Sequence, residues 1–137
     1  MDKARQYLGI ARKAGLVTMG EDNCAAVVGA GKAKLFLLAS DASPNAARRA
    51  ESILRGHRSP LVTLPWTKDE LSQMLGKNGC SMLCMTDLSL AVRFASAMAE
   101  VLPQWQETAL LLSRREDKAA RRKAAGPKHD SRGKRRT

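Results

Sequence analysis

Four groups of residues in this chain are of types that could carry chemistry. Residues 29–34, "GAGKAK", set two glycines and two lysines before the apolar run "LFLL", the materials of a phosphate-cradling loop. Asp41 and His57 could serve as an acid and a base. Cys24, Cys80 and Cys84 could bind a metal or exchange electrons. The C-terminal stretch "RRKAAGPKHDSRGKRRT" could attract a polyanion.

The first three groups lose their chemistry on inspection. In a phosphate loop a strand comes first, then the glycines, then a helix whose N-terminus faces the phosphate. Here Gly29 and Gly31 close a helical pattern and the strand comes afterwards, and neither GxxxxGK[ST] nor GxGxxG occurs. His57 lies at a helix end beside Arg55 and Arg58, with no carboxylate at a fixed spacing, and His129 sits in a polar tail. No serine or cysteine stands in a nucleophile motif. The cysteines are odd in number, lie in apolar patterns and form no CxxC pair, which reads as buried free thiols. Cys80 and Cys84, four apart, are expected on one face of a strand. A non-enzymatic protein without cofactor or metal is expected.

Charge is the remaining signal. The net charge is +11 over 137 residues, and from Arg114 onward 11 Lys/Arg face 3 Asp/Glu, a surplus of 8. Basic charge gathered in a tail addresses nucleic acid or an anionic membrane, or serves only as a solvated arm. No apolar run is long enough to span a bilayer, and "MDKARQYLGIARKAG" breaks its apolar residues with charges, unlike a signal peptide. A cytoplasmic monomer is expected.

Periodicity supplies the scaffold. Ala4, Tyr7, Leu8, Ala11 and Ala14 form a helical stripe ending at Gly15, and "LVTM" reads as a strand. Gly20 leads into a second helix with Glu21 and Asp22 at its positive end. After "KAKLFLLAS", Ser43 and Pro44 mark the N-cap and first position of a third helix, whose outer face carries Arg48, Arg49 and Arg55. "SPLVTLP" is a strand bracketed by prolines; Thr67 and Glu70 form a capping box for a helix ending at Gly76. "SMLCM" is the fourth strand, followed by a helix with Leu90, Phe94, Met98 and Val101 on one face. Strands this continuously apolar are buried on both sides. The expected fold is α/β: a three-layer α/β/α sandwich with a buried, mixed four-stranded sheet over residues 1–102. Residues 103–137 are expected to be a basic extension, helical in part, with Trp105 and Leu110 to Leu112 able to dock and "GPKHDSRGKRRT" disordered.

In this order, "GIARKAGLVTMGED", "GKAKLFLLASDASPN" and "DELSQMLGK" resemble the YlxQ-like bacterial branch of the kink-turn RNA-binding ribosomal-protein family. The resemblance runs from about Tyr7 to Met98. It implies non-catalytic binding of structured RNA, a kink-turn or related internal loop of ribosomal or ribosome-associated RNA. The implied contacts are the start of the second helix (Gly20, Glu21, Asp22, Asn23) and the loop entering the last strand (Gly79, Cys80, Ser81, Met82). Arg12, Lys13 and Lys32 are further candidates, with Lys34 beside them as a flank of the strand. Helix-start amides suit a phosphate or a base edge, and small apolar loop residues can pack on a flipped-out nucleotide. Where the family usually carries a lysine one turn into this helix the chain has Ala26, so a charge-assisted contact is absent. An alternative on the same scaffold is a protein-interaction module of the translation or transcription machinery, with translation factors or ribosomal proteins as partners.

Overall fold

The computed structural model describes residues 1–76 and 80–125. Four short strands carry the fold: β1 (Val17–Met19), β2 (Leu35–Leu38), β3 (Leu61–Thr63) and β4 (Met82–Met85). They form one mixed sheet in the order β1-β4-β2-β3, with β4 antiparallel to both its neighbours and β2 parallel to β3. The alternation of side chains divides each central strand between two cores. Leu35, Leu37, Leu83 and Met85 face one side, and Phe36, Leu38, Met82 and Cys84 the other. Helices α1 (Asp2–Lys13), α4 (Lys68–Leu75) and α5 (Leu88–Val101) cover the first side; α2 (Glu21–Gly29) and α3 (Pro44–Leu54) cover the second. The expected α/β sandwich is the observed one. None of the helices is long and apolar enough to cross a membrane, among the described residues.

Local chemistry sets the helix ends. Ser43 Oγ accepts from Ala46 N and Pro44 occupies the first turn of α3. Thr67 and Glu70 complete the capping box of α4, and Gly76 ends that helix in the left-handed region. Asp87 accepts from Leu90 N at the start of α5. β3, the outer strand, leaves Thr63 exposed, as its flanking prolines suggest.

The core does not stop at Pro103. A 3-10 turn (Pro103–Trp105) swings the chain back onto α5, and α6 (Gln106–Ala125) follows. Trp105 is buried and meets Phe94 edge to face, 5.6 Å between centroids, while Phe94 lies 6.3 Å from Trp66. Arg5 of α1 stacks its guanidinium over Trp66. Of the apolar residues expected to dock, Trp105 and Leu112 do so, joined by Ala109, whereas Leu110 and Leu111 face solvent. On α5, Phe94 and Met98 are buried as expected and Leu90 packs at the rim, but Val101 is 50% exposed because it lies at the last position, beyond the covering elements. The tail residues expected to be disordered lie outside the described segment.

All three cysteines are buried. Cys80 and Cys84 do not share a face. Cys80 precedes β4, so the two-residue repeat does not reach it, and it packs in the first core with its thiol donating to Met82 O at 3.1 Å. Cys84 packs in the second core beside Cys24, whose thiol donates to Thr18 O. The hydrogen bond with Cys24, and then burial, hold the Cys84 thiol far above the ordinary thiol range.

Two outcomes follow. Trp105→Ala lowers stability by about 3–5 kcal/mol in urea titrations read by α-helical dichroism, because α6 unfolds with the body rather than before it. The Cys84 thiol keeps its proton in the folded state while the unfolded thiol ionises near pH ~8.5. Stability is therefore fully present below that pH and falls above it, by up to about 1.4 kcal/mol per pH unit for this thiol. Cys84→Ala flattens that decline in denaturant titrations across the alkaline range.

Candidate nucleic-acid interface

Helix α2 begins without a side-chain cap. Its N-cap is Gly20, at φ 95° and ψ 153°, a conformation that side-chain-bearing residues rarely adopt. Gly20 N donates to Met82 O at 3.1 Å, which ties the helix start to the first residue of β4. The amides of Glu21, Asp22 and Asn23 have no acceptor among the described residues, and all three residues are exposed. The tip is thus a small cluster of outward N–H donors at the positive end of a helix dipole.

The side chains temper that charge. Glu21 Oε1 lies 3.5 Å from Arg49 Nη1 of α3, both exposed, and Asp22 stands unshielded beside it. Asn23 donates from Nδ2 to Met19 O at 3.1 Å, which fixes the side chain of an otherwise exposed residue. Two carboxylates at the tip repel a phosphate but accept from the amino and imino groups of a base edge. The complementary cations are next door: Arg48 and Arg49 on the outer face of α3, Arg48 braced by Asn45 Oδ1.

Some candidate residues converge and others do not. The segment entering β4 meets the α2 tip through the bond from Gly20 to Met82, and Ser81 O accepts from Ala39 N at the end of β2. Ser81 is half-buried and can present its hydroxyl there. Cys80 and Met82 are in the neighbourhood, yet their side chains are 4% and 1% exposed. Each points into a core, so neither packs on a flipped-out nucleotide without leaving it. Gly79 lies outside the described residues. Lys32 follows the far end of α2, a helix of nine residues and so about 13 Å from the tip. Arg12 and Lys13 end α1 on the other side of the sheet and precede β1, whereas the tip follows it. Arg12 Nε donates to Leu75 O at the end of α4, a structural tie. The residue missed from the tip itself is Arg49, whose signal was the basic outer face of α3.

The acid–base pair offered by the sequence is not assembled. Asp41 follows β2 and His57 precedes β3, so they occupy opposite ends of a parallel strand pair. Asp41 Oδ1 accepts from Lys68 N at 2.9 Å, holding the start of α4. Among the described residues, no three His, Cys, Asp or Glu side chains gather where a metal could sit.

No protein-family model and no curated protein matches the chain. Among solved structures, a protein of unknown function from Bacillus halodurans is similar to it, with 21% identity and a TM-score of 0.63. The match covers 69% of this chain and 94% of that one. At this identity the likeness speaks for a shared fold, and a fold hosts many functions, so function must be argued from the site.

Proposed function

We propose that this protein binds structured RNA without catalysing a reaction on it, in the cytoplasm and as a monomer. The RNA is of the kink-turn or related internal-loop kind, with ribosomal RNA the first candidate, as in the kink-turn-binding family that the sequence resembles. The observation that carries this reading is the uncapped start of α2, where glycine leaves three outward amides flanked by Glu21, Asp22 and a braced Asn23. Such a tip suits the exposed base edges of an internal loop better than a regular helix, because A-form RNA hides its major-groove edges. Ser81 adds a hydroxyl, and Arg48 and Arg49 supply the charge for the phosphates that flank those bases.

A protein-binding reading has one observation in its favour. Ala25 and Ala26 are exposed one turn behind the tip, a small uncharged surface where the family carries a lysine. Co-purification with translation factors that survives nuclease treatment would support it.

Titration of ribosomal RNA fragments distinguishes the two. The protein binds fragments containing purine-rich internal loops at least about tenfold tighter than unstructured RNA of equal length, a gap of ~1.4 kcal/mol. Amide resonances of residues 20–23 shift on addition. Asn23→Ala weakens that binding by about 1–2 kcal/mol, removing a fixed donor and acceptor. Gly20→Ala lowers fold stability as well, by about 1–3 kcal/mol, through backbone strain. Equal affinity for looped and unstructured RNA, with shifts confined to α6, would falsify the reading.

A further inference from the structure

We propose that a second site, a cleft between the C-terminal turn of α2, the 56–59 turn and α6, takes the phosphodiester backbone of a nucleic-acid strand. The cleft has a volume of about 510 Å3. Its charged lining is Lys34, Arg58, Arg115, Lys118 and Arg122, with His57 beside them, and no acidic side chain lines it. Val28 and Gly31 form the α2 wall, so the cleft stands at the opposite end of that helix from Gly20. Ser59 donates from Oγ to Ala33 O at 2.6 Å, fastening the turn that carries Arg58 to the entry of β2.

The energetics of the cleft point to an anion. Arg115 Nε is buried and has no hydrogen-bond partner, the one such side-chain atom among the described residues. A buried guanidinium donor without an acceptor is costly, and a carboxylate or phosphate normally repays that cost. Burial, and then the charge of Arg58, lower the Arg115 guanidinium from its ordinary value, and both side chains line the same cleft. Glu116 and Asp117 of α6 line an adjoining groove, where Glu116 accepts from Ser89 Oγ at 2.7 Å.

The occupant is an extended polyanion rather than a single small anion. Arg115, Lys118 and Arg122 follow one face of α6 at helical spacing, a row about 10 Å long. Arg121 and Lys123 continue the charge beyond the cleft, and the sequence after them adds five more Lys/Arg. A row of forked and flexible cations recognises repeating phosphates and carries no base preference. This site does not depend on the α2 tip and stands or falls separately.

The test uses the full chain and a labelled oligouridylate, which has no internal loop to read, in anisotropy titrations between about 50 and 200 mM salt. Arg115→Gln, Arg58→Gln and Lys118→Gln each weaken binding about threefold to tenfold and reduce the salt slope by about 0.7. Arg114→Gln removes the same charge from the same helix but lines another groove, with Pro60 and Leu111, and leaves both quantities unchanged. Lys118 is exposed, so its variant reports on the site without disturbing packing. Equal losses at Arg114 and Arg115 would reduce the cleft to diffuse charge and overturn the proposal. So would displacement of the oligonucleotide by a nucleoside triphosphate or inorganic phosphate at matched charge, or stronger competition by polyglutamate. If the internal-loop preference persists in the Arg115→Gln protein, the two sites act independently.

Discussion

Phe94 sits between two tryptophans, and most of the molecule's surface chemistry depends on that stack. Trp66 arrives from the segment before α4, Phe94 from α5 and Trp105 from the 3-10 turn. Among the described residues of α6, Ala109 and Leu112 are the buried apolar ones, so Trp105, just before it, is the largest anchor at this end of the chain. Without the edge-to-face contact the C-terminal helix would be a loose basic arm. With it, Arg115 and Lys118 are held at fixed positions opposite the 56–59 turn, and a solvated charge run becomes one wall of a cleft.

The charges are arranged unevenly, and the unevenness has a physical sense. The start of α2 combines exposed amides with two acids, a mixture that favours directional hydrogen bonds over bulk attraction. The surplus of positive charge lies elsewhere, on the outer face of α3 and along α6. In the proposed RNA complex, geometry is read at the first place and charge is neutralised at the others. That division matches the general separation between contacts that specify and contacts that position.

Much of this was legible in the sequence wherever a local rule applied. The caps at Ser43 and Thr67 and the glycine stop at Gly76 are fixed by interactions three or four residues long, and all were readable. The doubly buried sheet followed from strands apolar at every position. Failures came where a repeat was extended past the element that generates it. Cys80 was assigned a strand's alternation although it precedes the strand, and Val101 a helix's inner face although it lies past the covering layer. In α6, Ala109 and Leu112 lie four and seven residues after Trp105, on one helical face, which is why Leu112 rather than Leu110 or Leu111 turns inward. The cleft was invisible for a simpler reason: its walls come from three segments that no spacing rule connects.

The sheet order carries a consequence for how the chain assembles. β4 is made last of the four strands yet lies between β1 and β2, and among the described residues it supplies the ladder on which β1 pairs. During synthesis β2 can pair with β3 as soon as both have left the ribosome, while β1 waits with its amides and carbonyls unpaired. The antiparallel register of Val17 with Met85 closes a loop of nearly seventy residues, a long-range contact of the sort that slows folding. Until residue 85 emerges, α1 and α2 have no complete sheet to rest on, so the nascent protein is a candidate client for holding chaperones over most of its translation.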